Sequence, residues 1–444
     1  MIRYHARWVL PVGAPPLRGG TVCVDGDRIV FVGPRASAPA GNDAELGDAI
    51  LLPGLVNAHI HLDLAMFDGA LAGLEFFRWV RALVRGLGEA VTGAAIADAS
   101  MWSVADQLAH GVTTIGHTGP HTSAVDALHA MGARGVVYLE TFGPDPAQCD
   151  GSMADLHKRV ETTGARETSL VRVGVSPHAP YSVSDVLYSA VAAYARAESL
   201  PMAVHIAESA DETELVRDGA GEFARMLNAR GIATPPRAES PVALLERTGV
   251  LATRPLCIHA IRVSERDVAR IADAGATVAH CPRANAWFAA DRAPVLAYRA
   301  RGVAVGIGTD SIASNDAVRI LAEARDAADE SLSSGERIDM VTRGGATALG
   351  LAAHIGSLAP GMQADLAAFA AEDTSACDAD PERFLLDRCA GHPALLTVVA
   401  GKVCAQNGRA VNADASLDAR LAENRARIVT WAAQQDWRRP RTHF

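Results

Sequence analysis

Histidine and carboxylate side chains recur at the ends of short apolar runs along this 444-residue chain. They are His59 and His61, His117, His178, His205 with Glu208, His259, His280, and Asp310. One histidine in such a place is usually structural, but histidine or aspartate after seven of eight runs is not what chance gives. Imidazole and carboxylate groups bind zinc and iron and also act as acids and bases. The pattern therefore predicts a metal-dependent catalytic site.

His59 and His61 are the most informative pair, because they are two residues apart in an apolar run. On a β-strand, residues with this spacing point to the same face. Two converging neutral imidazoles are suitable ligands for zinc or iron. The competing interpretation is that both histidines only fill the interior of the fold. It is disfavoured because buried imidazoles without partners cost free energy.

The elements that must position these side chains form a regular alternation of strand and helix. Eight strand candidates precede helical stretches: LVNAHIHLD, VTTIGHTG, GVVYLETFG, LVRVGVSPHAP, MAVHIAES, LCIHAIRVS, TVAHCPRAN and VAVGIGTDS. Eight such units make a (β/α)8 barrel, in which the C-terminal ends of the strands build the active site. The polar residues noted above lie at those ends.

The two ends of the chain have a different sequence pattern. Short predicted strands there alternate apolar with polar residues and are broken by Gly, Pro and Asp. Neither end is large enough for a sheet domain of its own, and together they can form one small sandwich. We therefore predict an α/β fold: a distorted (β/α)8 TIM-type barrel with a small β-sandwich formed from both chain ends. The expected boundaries are 1–53 for the first part of the sandwich, 54–354 for the barrel, 355–411 for the second part, and 412–444 for a C-terminal helix.

Composition narrows the class of protein. Hydrophobic residues make up 49% and charged residues 21% of the chain, as in ordinary globular enzymes. The net charge of −10 gives no reason to expect nucleic acid or an anionic membrane as a partner. We find no apolar segment typical of a signal peptide or a membrane span. The seven scattered cysteines indicate reduced thiols. We expect a cytoplasmic protein with a small-molecule substrate, and a homo-oligomer, with a dimer favoured.

Several motifs resemble those of one known superfamily. The segment PGLVNAHIHLD (Pro53 to Asp63) resembles the opening motif of the amidohydrolases, and HIAES, CIHA and GTDS follow in the order expected for them. GSLAPGMQADLAAF (Gly356 to Phe369) is similar to their return into the small β-domain. The resemblance extends over roughly residues 1 to 411. It is closest to the branch that contains cytosine, guanine and adenosine-derivative deaminases and triazine chlorohydrolases.

The resemblance implies a division of roles. Its metal ligands would be His59, His61, His205 and Asp310. Glu208 would be the proton shuttle and His259 would lie beside the reacting centre, while Asp310 would also orient and deprotonate water. Some members bridge two metals with a lysine on the fourth strand, but VRVGVSPHAP has none. One divalent metal per chain is therefore expected, with zinc favoured and iron the alternative.

Substrate contacts are predicted for five residues: Trp79, His178, His280, Arg283 and Asn285. For some of them a structural role competes. Trp79 can pack its helix on the barrel, His178 can support a loop, and Arg283 can form an ion pair at the barrel rim. Glu208 can be a solvated carboxylate, and no role is assigned to His117. The long stretch after strand five, which contains RDGAGEFARML, resembles a loop of bacterial deaminases acting on adenine carried by a modified ribose.

We therefore expect a metal-dependent hydrolytic deaminase of an aminated heterocycle. The favoured substrate is a purine or an N9-substituted adenine derivative, such as aminodeoxyfutalosine or an adenosine-like compound. One alternative keeps the metal and changes the bond, as in a triazine chlorohydrolase or a cyclic or linear amide hydrolase. A catalytically silent ligand-binding barrel is the other alternative. It is disfavoured because a binding protein has no need of the proton shuttle Glu208.

Overall fold

The computed structural model describes residues 1–288, 290–327 and 331–438. Its strands are β1 (Ile2–His5), β2 (Trp8–Val9), β3 (Leu17–Arg18), β4 (Gly20–Asp25), β5 (Arg28–Pro34), β6 (Asn42–Glu45), β7 (Ala49–Pro53), β8 (Leu55–Ile60), β9 (Val112–Gly119), β10 (Arg134–Thr141), β11 (Val171–Pro177), β12 (Ala203–Ile206), β13 (Leu256–His259), β14 (Thr277–His280), β15 (Val305–Ile307), β16 (Leu366–Ala370), β17 (Leu396–Val399), β18 (Lys402–Gln406) and β19 (Arg409–Ala410).

The α-helices follow the strands of the central part and continue to the C-terminal segment. They are α1 (Phe76–Glu89), α2 (Gly93–Ala109), α3 (Ser123–Met131), α4 (Cys149–Gly164), α5 (Asp185–Ala197), α6 (Ala210–Asp218), α7 (Gly221–Ala229), α8 (Pro241–Arg247), α9 (Glu265–Ala274), α10 (Pro282–Trp287), α11 (Val295–Ala300), α12 (Ile320–Asp326), α13 (Ser334–Met340), α14 (Arg343–Ala348), α15 (Thr374–Ala379), α16 (Pro381–Arg388) and α17 (Leu417–Ala433). A 3-10 helix, Leu62–Phe67, follows β8 directly.

Eight parallel strands form the barrel, in two halves of four with the orders β11-β10-β9-β8 and β12-β13-β14-β15. The halves meet at two junctions. At one, the N–H of His205 donates to the carbonyl of His178 at 2.9 Å, and at the other the N–H of Thr309 donates to the carbonyl of His59 at 3.0 Å. The buried amide of Asn57 also spans the second junction, because its Nδ2 donates to the Thr309 hydroxyl at 2.9 Å. The predicted barrel is confirmed.

The barrel strands form because their sequences suit a sheet that is covered on both faces. Every residue of β9 and of β10 is buried. Parallel strands enclosed by helices read as nearly continuous apolar runs rather than as alternating ones. The few polar residues in such strands are therefore conspicuous, and they lie where the strands end.

A second, smaller unit combines the two ends of the chain. Strands β5-β4-β1-β6 make one sheet, and β19-β18-β17-β16-β7-β2-β3 make the other. Antiparallel pairing of β7 with β16 joins the N-terminal and C-terminal segments. Val22 of the first sheet packs in one apolar cluster with Leu51, Leu366 and Val398 of the second. This face-to-face packing is the expected sandwich.

The structure adds helices that the sequence pattern did not indicate. Between β16 and β17 the chain forms α15 and α16, where only short strands were expected. Asp373 and Asp380 cap these two helices through their side chains. Asp380 is followed by Pro381 at the first position of α16, a residue well suited to starting a helix.

The C-terminal helix α17 buries Leu417, Leu421 and Ile428. Leu421 and Ile428 join an apolar cluster that includes Phe67 and Ile96. Within the described part of the chain, no helix is long and apolar enough to cross a membrane.

Candidate metal centre and active site

Four side chains converge at the C-terminal ends of the barrel strands. The Nε2 atoms of His59 and His61 lie 3.4 and 3.5 Å from Oδ1 of Asp310. The ring centroid of His205 lies 4.9 Å from that of His59 and 5.3 Å from that of His61. Ligand atoms of His59, His61 and His205 all lie within 4.8 Å of one another. The sequence-predicted ligand set is therefore brought together in space.

The local sequence explains how these groups meet. His59 is the fifth residue of β8 and His61 follows the strand, so the alternation of the strand sends both side chains inward. Gly308 lets the end of β15 approach closely, since a Cβ there would lie 2.8 Å from Cβ of His59. Asp310 has a left-handed backbone with φ of 55°. Such strain in a residue other than glycine is typical of functional sites.

Neighbouring polar groups hold the cluster in place. The Thr118 hydroxyl lies 3.4 Å from Nδ1 of His59 and 3.5 Å from Nδ1 of His61. The Ser314 hydroxyl donates to Oδ2 of Asp310 at 2.7 Å. His117, to which no role was assigned, accepts the backbone N–H of Leu62 at its Nδ1, at 3.2 Å. His117 therefore supports the turn that follows His61.

Burial determines the charge state of the cluster. It lowers the pKa of His59 to about 3, although the nearby Asp310 carboxylate acts in the opposite direction. It also holds the pKa of His205 well below its usual value. Burial alone would raise the pKa of Asp310, but the nearby imidazoles of His59 and His61 outweigh it and hold that pKa below its usual range. The site thus presents the neutral imidazoles of His59 and His205 beside the carboxylate of Asp310.

This donor set fits a divalent metal. Nε2 of His59 is fully buried and has no hydrogen-bond partner in the described structure. A buried ring nitrogen in this state calls for an explanation, and a metal ion supplies one. Neutral imidazoles and a carboxylate are ligands of zinc and of iron. His59, His61, His205 and Asp310 are the residues that would hold the ion.

A second functional group faces the cluster from the turn after β12. Glu208 is buried, and its Oε1 lies 3.5 Å from Nε2 of His259. Burial, and then the charges of Asp310 and Glu212, raise the pKa of Glu208 well above its usual value. The Glu212 carboxylate accepts the backbone N–H groups of Ala207 and Glu208, at 2.7 and 3.0 Å. Glu208 is thus a positioned carboxyl whose surroundings favour its protonated form.

His259 is oriented by Asn285. Its Nδ1 donates to Oδ1 of Asn285 at 3.1 Å, which leaves Nε2 facing Glu208. His259 also has a left-handed backbone, with φ of 67°. Asn285 was predicted to contact substrate, and the structure places it behind His259. Its contact to substrate stays a prediction.

The metal cluster and Glu208 open into one cavity of about 130 Å³. Trp79 and His178, both predicted substrate contacts, line this cavity. Trp79 is also a packing residue, because its indole N–H donates to the carbonyl of Ala313 at 2.9 Å. Val84 and Phe142 line the cavity and are 64% and 43% exposed, so they lie at its mouth.

Two predicted contacts lie elsewhere. His280 and Arg283 line a neighbouring cavity rather than the one at the metal cluster. The Arg283 guanidinium pairs with Asp316 and with Asp326, the latter at 2.9 Å. This is the ion pair at the barrel rim that competed with a substrate contact as the expected role of Arg283. The substrate roles of His280 and Arg283 remain predictions without geometric support at the central cavity.

Comparison with known proteins agrees with this geometry. Residues 50–404 match the amidohydrolase family. The chain belongs to that family. It is 31% identical over 415 residues to a 5-methylthioadenosine/S-adenosylhomocysteine deaminase of Nitratidesulfovibrio vulgaris, with 88% of each chain covered. It is 32% identical over 329 residues to an aminodeoxyfutalosine deaminase of Deinococcus radiodurans, with 70% of this chain and 76% of that one covered.

The chain is also similar to a solved structure. An adenosine deaminase from Xanthomonas campestris, with bound zinc, is similar over 97% of this chain and 98% of its own, with a TM-score of 0.82 and 27% identity. The amidohydrolase described above is therefore an enzyme, a hydrolase that acts on C–N bonds.

Sequence reasoning gave no role to Glu140, a buried carboxyl of this amidohydrolase. Glu140, at the end of β10, lines the central cavity and is 3% exposed. Burial raises its pKa to about 7. Of the eight predicted strands, GVVYLETFG was the one with no histidine or aspartate at its end. The glutamate of this segment, Glu140, was the residue that could have indicated a functional group at the end of the third strand.

Proposed function

We propose that this amidohydrolase removes the exocyclic amino group of an N9-substituted adenine by hydrolysis and releases ammonia. The observation that carries the proposal is the position of Glu208. It lines the same cavity as the histidine and aspartate cluster, yet it belongs to none of the candidate metal-binding groups of the described residues. A carboxyl with a raised pKa beside a metal site suits protonation of a ring nitrogen next to the carbon that water attacks.

The residues divide the work as follows. One divalent metal, with zinc favoured and iron the alternative, would lower the pKa of water to about 7 when bound. Asp310 takes a proton from the attacking water and passes it to the amino group, which leaves as ammonia. Glu208 donates a proton to the ring nitrogen, and His259 stabilises charge that develops at the carbon under attack. The relatives named for deamination of adenosine derivatives support an adenine ring as the group that is bound here.

The substituent is supported by the shape of the cavity. His178 lies beside His205, with ring centroids 4.9 Å apart, and faces the cavity that extends to Phe142. We propose that the adenine ring lies at the metal ligands and that its ribose-like group extends along His178 towards Phe142. Aminodeoxyfutalosine and 5′-alkylthioadenosines are candidate substrates on this basis.

The test is ammonia release by the zinc-loaded enzyme from a panel of adenine nucleosides, free adenine, cytosine and a chlorinated triazine. We expect kcat/KM to be highest for an N9-substituted adenine. His178→Ala should lower kcat/KM for the nucleoside much more than for the free base, because only the nucleoside has a hydroxyl to lose. Faster turnover of free bases, or chloride release without ammonia release, would overturn the proposal.

A further inference from the structure

Glu323 is a buried acidic side chain that the proposed mechanism does not use. It lies on α12 and is fully buried. It is not among the described residues that line the central cavity or its neighbour, and it belongs to none of their candidate metal-binding groups. A buried carboxyl costs free energy unless its oxygens are hydrogen-bonded. The partners of those oxygens therefore indicate its role.

One partner of Glu323 lies in the turn that carries Asp310. Nδ2 of Asn315 donates to Oε1 of Glu323 at 2.6 Å and to the carbonyl of Thr309 at 2.9 Å. Thr309 directly precedes Asp310, whose backbone is left-handed. Ser314, the neighbour of Asn315, donates to the Asp310 carboxylate. Glu323 thus fixes the amide that holds the strained turn around Asp310.

The other partner of Glu323 lies at the start of α10. The backbone N–H of Arg283 donates to Oε2 of Glu323 at 3.0 Å. Arg283 is in the first turn of that helix, where backbone N–H groups have no partner within the helix. The same helix carries Asn285, whose Oδ1 accepts the hydrogen bond that orients His259. Glu323 therefore also anchors the helix behind His259.

One carboxyl thus joins two segments of the site that follow different strands, β14 and β15. We propose that Glu323 is a positioning residue that holds Asp310 and His259 in place relative to each other. Groups that orient metal ligands change metal affinity or activity by about tenfold to a hundredfold when they are removed. The inference rests on the proposed function, which makes Asp310 a metal ligand and places His259 at the carbon under attack.

Glu323→Gln tests the positioning role. The variant keeps the size of the side chain but replaces one acceptor oxygen with an NH2 group, which cannot accept from Asn315 or from Arg283. We expect zinc affinity, measured by competition with a chelator, to fall by about tenfold or more. In the zinc-saturated enzyme, kcat for adenosine should fall by a similar factor. KM should change little, because Glu323 does not line the cavity that binds substrate.

The control is Asp365→Asn, which alters another buried carboxyl. Asp365 accepts from the Arg134 guanidinium at 2.9 Å and from the N–H of Ala400 at 2.8 Å, and it does not line the central cavity. This variant should melt at a lower temperature, as Glu323→Gln should, because a buried partner is lost in each. It should keep the zinc affinity and the kcat of the wild-type enzyme when measured below the melting temperature of both variants.

Two results would overturn the positioning role of Glu323. One is an unchanged zinc affinity or an unchanged kcat in Glu323→Gln. The other is an equal loss of both in Asp365→Asn, which would mean that any loosening of the fold has this effect. If Glu323→Gln does not fold, Asn315→Ala takes its place with the same expected losses, because it removes the amide between Glu323 and Thr309.

The zinc measurement separates this inference from the proposed function, since it needs no turnover. If the wild-type enzyme releases no ammonia from any nucleoside, the proposed function fails. Weaker zinc binding by Glu323→Gln than by Asp365→Asn would still support the link from Glu323 to Asp310. Equal zinc affinities of Glu323→Gln and the wild-type protein would overturn it.

Discussion

Glu208 lines the same small cavity as His61, His205 and Asp310 but belongs to none of the candidate metal-binding groups of the described residues, so proton transfer and metal binding are separable at the level of single residues. Glu208→Gln keeps the size of the side chain but removes the proton that it donates. We expect the variant to retain its metal and to lose about 10²-fold or more in kcat. Elemental analysis and kcat at saturating substrate measure the two effects.

Glu214→Gln is a suitable control, because Glu214 is an exposed carboxylate on α6, the helix that begins next to Glu208. It should leave kcat close to that of the wild-type enzyme. Near-normal kcat in Glu208→Gln would exclude Glu208 as the proton donor. Loss of metal would instead place Glu208 among the ligands.

The sequence predicted the residues that strand alternation and strand ends place by themselves, namely His59, His61, His205 and Asp310. It did not predict Ser314, whose contact with Asp310 depends on how the chain turns after β15. It favoured a substrate contact for Arg283 and gave only as the alternative the ion pair at the barrel rim, which Arg283 forms with Asp316 and Asp326. Such choices depend on partners far away in sequence, and no local pattern encodes them.

At the scale of elements, α1 and the end of β10 determine what the mouth of the cavity accepts. Val84 and Leu87 of α1 and Phe142 after β10 line it, and none of the described lining residues is Lys or Arg. Deeper in, the lining carries the carboxyls of Asp63 and Glu140. We therefore expect an uncharged 5′-substituent, such as an alkylthio group, to be preferred over a substituent that carries a carboxylate.

Val84→Arg tests this expectation by adding a cation at the mouth. It should raise kcat/KM for a 5′-carboxyalkyl adenosine relative to a 5′-alkylthio one by roughly twofold to fivefold, since exposed charge pairs are weak. Val429→Arg is the matched control, because Val429 is 51% exposed on α17 and does not line the cavity. An equal ratio in Val84→Arg and Val429→Arg would contradict the assignment of the mouth.

The small domain has an acid-sensitive contact between α15 and the N-terminal strands. Hydrogen bonds from Arg7 and then from Trp8 lower the pKa of Asp378 to about 2. In an unfolded chain the pKa of an aspartate is about 3.9. The contribution of Asp378 to stability is therefore fully present above about pH 4 and is lost as the pH falls towards 2.

Asp378→Asn should consequently lower the melting temperature at pH 7, and the difference from the wild-type protein should shrink as the pH falls to 3. Asp387→Asn, which removes an exposed carboxylate paired with Arg383 one helical turn away, should show a smaller effect at pH 7. Thermal unfolding by circular dichroism across this range measures both. A difference that is independent of pH would contradict the lowered pKa of Asp378.

The sequence predicted the barrel strands but not two short helices, and the difference has a physical reason. All eight barrel strands were found, because continuous apolar runs between helices are a strong pattern. Helices α15 and α16 were missed, since they are short and depend on the caps Asp373 and Asp380 and, for α16, on packing against α12 and α13. The expected homo-oligomer, with a dimer favoured, stays a prediction.

At the scale of the whole molecule, the proposed ligands belong to both halves of the barrel. His59 and His61 come with β8 of the first half, whereas His205 on β12 and Asp310 after β15 belong to the second. A metal held by these four residues would tie the two halves across the junction where Thr309 bonds to His59. Metal binding and unfolding of the barrel should therefore be coupled.

Zinc should raise the melting temperature of the chelator-treated protein, because a ligand that binds only the folded state stabilises it in proportion to ln(1 + [L]/Kd). At a free zinc concentration of a thousand times Kd the gain is about 4 kcal/mol. His59→Ala should melt at nearly the same temperature with and without zinc, since it lacks a ligand, whereas Glu208→Gln should keep the response because Glu208 is outside the ligand set. Calorimetric melting curves at several buffered zinc concentrations measure the coupling. If zinc shifts the melting of His59→Ala as much as that of the wild-type protein, the ion stabilises the fold from another site and the proposed metal centre is wrong.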